Sequence, residues 1–234
     1  MDIKVFSNQV EASAFLVDQY KQLLADGAEV FGLATGGTPE EFYKQLGESD
    51  VDFSDKVSIN LDEYYGLTPG HPKSYHYYME DKLFHNKPFA QSFIPKGDTD
   101  DVEAELERYN GVLADHPIDV QLLGIGTNGH IGFNEPGSPI DGQTQFVDLT
   151  QATIEANTRF FENIDDVPTK AISMGLGSIM AAKKIILIAF GDNKADAIEK
   201  TVNGPVTTDV PASILQNHDD VTLVLDEAAA AKLK

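Results

Sequence analysis

The chain has 234 residues, 41% of them hydrophobic, which is ample for the buried core of one large domain or two small ones. Its formal charge of −21 disfavours nucleic acid and anionic lipid as partners, and the absence of cysteine excludes disulfides, thiolate metal sites and cysteine nucleophiles. No apolar run reaches the ~18–20 residues that span a bilayer, and MDIKVFSNQVEAS lacks the basic start and apolar core of a signal peptide, so a cytoplasmic protein is expected.

An amphipathic helix is predicted over 8–25, with Val10, Ala14, Val17 and Leu24 near a 3.6-residue period. A strand follows at 29–35 (EVFGLAT). A helix is predicted over 38–46, where Thr38 is read as N-cap, Pro39 as the first helical residue and Glu41 as the partner in a capping box. Further along come a strand at 57–62 (VSINLD), helices at 74–84 and 102–114, and a strand at 119–126 (DVQLLGIG). A strand at 184–190 (KIILIAF), a helix at 194–202, a strand at 221–226 (VTLVLD) and a helix at 227–233 complete the pattern. These strands are short, dense in Val, Ile and Leu, and do not alternate cleanly, as expected when both faces are covered. The alternation predicts one α/β domain over 1–234: an open, mostly parallel, Rossmann-like sheet with helices on both faces. Ligands bind such sheets outside the carboxyl ends of the strands. The residues following each strand therefore carry the functional reading.

After the first such strand, Gly36, Gly37 and Thr38 form a turn that allows close backbone approach and exposes the N–H groups of the next helix, a candidate anion site or simply a tight connection. After 57–60 come Asp62 and Glu63. Successive strand residues face opposite ways, so these two carboxylates are not expected to act as a pair. After 119–126, GIGTNG fits G-x-G-x-x-G, but HIGFNEPGSP follows, and its glycines and prolines leave no room for the helix a dinucleotide fingerprint requires. A nicotinamide site is therefore rejected. What remains is a constrained loop carrying Asn128, His130, Asn134 and Glu135, in which imidazole and carboxylate can pair. Lys194 enters a helix near its N-terminus, where a cation is disfavoured unless an anion offsets it; Arg159 is ambiguous alone. The six histidines show no metal-ligand spacing, and neither a phosphate-binding GxxxxGK[ST] loop nor G-x-S-x-G occurs.

Together, ATGGTPEEFYKQL, NLDEYYGL with HPKSYHYYM, GIGTNGHIGFNEPGS, ANTRFF and AISMGLGSIMAAKKIILIAFGDNKADAI resemble the glucosamine-6-phosphate deaminase family, in family order from about 30 to about 200. The resemblance implies an open α/β fold, conversion of glucosamine 6-phosphate to fructose 6-phosphate and ammonia, and neither redox cofactor nor catalytic metal. By the same resemblance Asp62 is the proton-shuttling acid, His130 the ring-opening group and Glu135 its support. Gly36, Gly37 and Thr38 form the phosphate loop, and Arg159 and Lys194 are the phosphate-binding cations.

Two departures stand out. Asn128 replaces the acid that the best-studied form has two residues before the histidine; an amide can still orient His130 by hydrogen bonding. Gln145 and Val147 stand where allosteric members carry cations that bind an N-acetylated sugar phosphate. Hyperbolic kinetics and a monomer or small homo-oligomer are therefore expected, with no nucleic-acid or membrane partner. The rival readings are a 6-phosphogluconolactonase-like hydrolase and a catalytically silent sugar-phosphate sensor.

Overall fold

The computed structural model describes residues 1–158 and 161–233. In chain order the elements are β1 (Asp2–Phe6), α1 (Gln9–Ala25), β2 (Val30–Leu33), α2 (Glu40–Glu48), β3 (Val57–Asn60), β4 (Asp62–Tyr64), α3 (Tyr75–Met79), β5 (Gln91–Phe93), α4 (Val102–Asp115) and β6 (Val120–Leu123). They continue with β7 (Gln145–Asp148), α5 (Gln151–Asn157), β8 (Lys170–Ser173), α6 (Leu176–Met180), β9 (Lys184–Ala189), α7 (Ala195–Asn203) and β10 (Val221–Asp226).

Among the described residues, seven strands form one sheet in the order β1-β10-β9-β6-β2-β3-β5, every neighbouring pair parallel. Every residue of β2 and β6 is buried, as is all of β9 after Lys184, so both faces are covered as their apolar runs predicted. The core joins Leu16 and Tyr20 of α1, Phe42 and Leu46 of α2, and Ile185–Ala189 of β9. The fold is α/β, with a mostly parallel central sheet.

The predicted strand 57–62 is two strands. β3 ends at Asn60. The Leu61 N–H then donates to the Leu33 carbonyl (3.2 Å), while the Leu61 carbonyl accepts from Met174 N–H (2.8 Å). Leu61 thus bridges two sheets, and β4 joins a separate antiparallel sheet, β4-β8-β7, in which Asp62 lies opposite Ser173. A satellite apolar cluster of Tyr64, Phe133, Leu149 and Ala171 packs beneath it.

Three predicted helices change. Thr38 and Glu41 form no capping box: α2 starts at Glu40, no side chain caps it, and the Glu41 carboxylate accepts from Gln45 Nε2 instead (2.8 Å). The 74–84 helix is α for one turn after a Ser74 cap, then widens into a π turn over Glu80–Phe84. Residues 227–233 form turns: Asp226 caps Ala229 N–H (2.8 Å), and later bonds span three residues (Ala231 to Ala228, Leu233 to Ala230) rather than four.

Candidate active site

From β2 the chain builds outward through β3 to β5, then returns to place β6 on the opposite flank of β2. The crevice between β2 and β6 is therefore the topological switch point, where parallel sheets bind ligands. A cavity of about 530 Å³ opens there. Gly36, Gly37, Thr38, Asp62, Asn128, His130 and Lys194 all line it, although they are spread over more than 150 residues of sequence. Arg159 lies outside the described residues.

Two side chains from other elements fix the turn after β2. Tyr78 Oη donates to the Gly36 carbonyl (2.6 Å), and Gln9 Nε2 donates to the Thr38 carbonyl (3.1 Å). A Cβ built on Gly37 would meet nothing within 4 Å, so that side of the turn is open. Across the crevice, Lys194 reaches back from the start of α7 to the loop after β6, where its Nζ donates to the Ile125 carbonyl (2.7 Å). The ammonium is thereby directed into the crevice.

Asp62 and Glu63 part company as strand geometry requires. Glu63 is 1% exposed and turns away from the cavity; its carboxylate accepts the N–H groups of Tyr64 (2.8 Å), Tyr75 (2.9 Å) and His76 (3.0 Å). It is thus tied to the first turn of α3, where orphan N–H groups and the helix dipole favour an anion. Asp62 remains in the cavity wall. Burial, with Glu63's charge adding to it, pushes the Asp62 carboxyl up from the ordinary 3.8 to about 8. Such a group holds its proton at neutral pH and is a strong base once ionised.

The loop after β6 supplies the opposing chemistry. Gly126 N–H donates to the His130 carbonyl (2.9 Å), folding the loop back on itself. A Cβ at Gly126 would sit 2.3 Å from His130 Cε1, so only glycine admits the imidazole there. Gly132, at φ +56°, serves a second close approach: a Cβ there would lie 3.6 Å from Asp62 Oδ2 and 3.3 Å from Ser173 Oγ. The loop therefore packs directly on the start of β4.

His130 Nδ1 lies 3.5 Å from Glu135 Oε2. That is an electrostatic contact, too long and poorly aligned to satisfy Nδ1 as a hydrogen bond. Asn128 closes the arrangement: its Nδ2 donates to Glu135 Oε2 (2.7 Å) and its Oδ1 accepts His130 N–H (3.2 Å). Thr153 Oγ1, from α5, hydrogen-bonds the other oxygen, Glu135 Oε1. Burial alone would raise the Glu135 carboxyl, but His130, Thr153 and Asn128 together outweigh it and hold the group down at about 2. Glu135 is outside the cavity lining and acts on it through these neighbours. Asn134 is scaffold: it donates to the Ile131 and Met174 carbonyls (2.9 Å each) and accepts from Gln145 Nε2 (2.8 Å).

Two groups of the site were not singled out in the sequence. Thr153 sits in LTQATIEAN with no local signal beyond that of a helix start. Lys73 lines the cavity, its ammonium 5.9 Å from the Phe161 ring centroid. Among the described residues no three His, Asp or Glu side chains converge as a metal site, and no helix is long and apolar enough to cross a membrane.

A buried carboxyl of raised proton affinity and an imidazole–carboxylate pair at the switch point of a parallel sheet are the makings of an acid–base site in an α/β enzyme. The chain belongs to the family of glucosamine-6-phosphate isomerases and 6-phosphogluconolactonases, which it matches over residues 9–224. The glucosamine-6-phosphate deaminase of Streptococcus suis is 59% identical over the whole of both chains. That of Lacticaseibacillus paracasei is 58% identical over all of this chain and 99% of its own. Among solved structures, a monomeric glucosamine-6-phosphate deaminase superposes with a TM-score of 0.95 at 40% identity, covering 99% of this chain and all of that one. A 6-phosphogluconolactonase from Trypanosoma brucei shares the fold alone, at 18% identity and a TM-score of 0.80 over all of this chain and 98% of its own.

Proposed function

We propose that the protein converts glucosamine 6-phosphate and water to fructose 6-phosphate and ammonia, in the cytoplasm and in amino-sugar catabolism. The observation that carries this reading is the buried Asp62 carboxyl and His130 meeting on one cavity, with Glu135 paired to His130 behind it. The full-length deaminase relatives supply the substrate.

In this reading the phosphate docks on the turn of Gly36, Gly37 and Thr38, with Lys194 and Arg159 as its cations. Backbone N–H groups and ammonium together overcome the negative field of the protein. His130, kept in place by Glu135 and Asn128, moves a proton between the ring oxygen and the anomeric hydroxyl and opens the pyranose. Asp62, ionised, takes the C2 proton and returns it to C1, giving an imine at C2. Water adds to that imine, ammonia leaves, and fructose 6-phosphate remains. No bond between substrate and side chain is needed.

Incubation with glucosamine 6-phosphate should release ammonia and fructose 6-phosphate in equal amounts. Hydrolysis of 6-phosphogluconolactone instead would select the lactonase reading, and binding without turnover the sensor. Gln145, which holds Asn134, is turned to a structural task and offers no charge to a regulatory phosphate. Saturation curves should therefore be hyperbolic and unchanged by N-acetylglucosamine 6-phosphate; a sigmoidal curve straightened by that compound would refute this part. The monomeric deaminase, similar over its whole length, supports a monomer.

A further inference from the structure

Glu135 is served by two elements that the reaction scheme does not connect. Asn128 and His130 belong to its own loop, while Thr153 reaches it from α5. Thr153 is itself buried and held: Thr150, the N-cap of α5, accepts Thr153 N–H (3.3 Å), and the two hydroxyl oxygens lie 3.2 Å apart. Valence fixes the direction of this chain. An ionised carboxylate only accepts, so the single Thr153 hydroxyl proton goes to Glu135, and the Thr153 oxygen is left to accept from Thr150.

We propose that Thr153 is a positioning residue that locks Glu135 against His130 and makes the ring-opening pair sensitive to the placement of α5. The proposal rests on the deaminase reading for its catalytic consequence but on geometry for the contact itself. The groups facing Glu135 are His130 and Asn128 from its loop and the uncharged Thr153 from α5, with Asp62 beyond Gly132.

The test compares Thr153→Val, Thr153→Ala and Thr153→Ser, following the Glu135 carboxyl by carbon-13 NMR on glutamate-labelled protein, with Glu135→Gln identifying the resonance. Losing one charge-assisted donor should raise the Glu135 midpoint by about one pH unit in the Val and Ala variants. Kcat should fall about tenfold with KM changed less than twofold, as expected for an interaction that matters to the chemical step. Serine, which keeps the hydroxyl, should restore both. Thr153→Ala removes the hydroxyl without leaving a methyl aimed at the carboxylate, so the question survives if the valine variant fails to fold. An unmoved Glu135 midpoint in a folded variant, or a serine variant as shifted as the valine one, would overturn the proposal. A moved midpoint in a chain that releases no ammonia would leave the contact standing and sink the deaminase reading alone.

Discussion

Asp62, at the start of β4, and Glu135, in the loop after β6, serve one cavity from opposite conditions. Both carboxyls are buried, and burial pushes both upward. At Asp62 no donor among the described residues offsets it, Glu63 adds like charge, and the group rises to about 8. At Glu135 His130, Thr153 and Asn128 outweigh burial, and the group falls to about 2. Donors around the buried oxygens, more than burial itself, decide the outcome. The division suits the proposed chemistry. A carboxylate with high proton affinity can take a proton from carbon, while one that stays ionised can hold an imidazole.

Replacing Asp62 should break that comparison most severely. Asp62→Asn removes the base and should lower kcat by about 10²–10⁴-fold or more, with little change in substrate affinity. Near-wild-type turnover would end the assignment. The same change should stabilise the fold. Asp62 holds its proton up to about pH 8 when folded but ionises near 3.8 when unfolded, so its destabilising effect is absent below pH 4, grows through pH 4–8 and is constant above. The asparagine variant should melt higher than wild type by a margin that widens over that window, at about 2–4 °C per kcal/mol for a chain this size. A margin independent of pH would show that Asp62 is not held protonated.

Glu135→Gln should give a smaller effect of opposite sign on stability. The lowered Glu135 carboxyl stabilises the fold above its unfolded value of 4.5, and this contribution is lost as pH falls through about 2. The glutamine variant should therefore be less stable at neutral pH and converge on wild type near pH 2. Its kcat should drop about 10–100-fold, within the range a mispositioned acid–base group loses. Equal melting temperatures at pH 7 would contradict the donor network. Lys194→Ala should spare both carboxyls and chiefly raise KM, about tenfold for one lost charge-assisted contact, with the pH profile in place. A fallen kcat at unchanged KM would move Lys194 from binding to chemistry.

The sequence carried part of this comparison. β2, β6, β9 and β10 announce themselves because sheet burial on both faces leaves continuous apolar runs. β1 does not, because among the described residues it is an edge strand paired only with β10, Asp2 and Lys4 interrupt its apolar residues, and Val5 is left 48% exposed. The β4-β8-β7 sheet is hidden for another reason. Its strands are three or four residues long, β7 has no buried residue, and the β4–β8 pairing joins segments about 110 residues apart. No local period encodes that. His130 and Glu135 were legible because glycines and a shared loop bring them together, and Asp62 because it follows the apolar run of β3. Their environments were not legible. Thr153 arrives from a separate helix, and the break at Leu61 that removes Asp62 from the main sheet depends on Met174.

Glu63 offers the finest test of why the two carboxyls differ. It is the only neighbouring charge among the causes that raise Asp62, and it also holds the first turn of α3 through the N–H groups of Tyr75 and His76. Glu63→Gln keeps the shape but removes the charge. Part of the cap survives through the amide oxygen, so stability should fall by about 0.5–2 kcal/mol, the range for a weakened N-terminal cap. The pH limb of kcat/KM assigned to Asp62 should move below 8 by a fraction of a unit, because burial, the larger cause, remains. These two results separate the roles. A limb that stays at about 8 while stability falls would mean burial alone sets Asp62 and Glu63 serves only α3. A limb that moves upward would mean that loosening α3 buries Asp62 more deeply, and the charge account of the difference from Glu135 would fail.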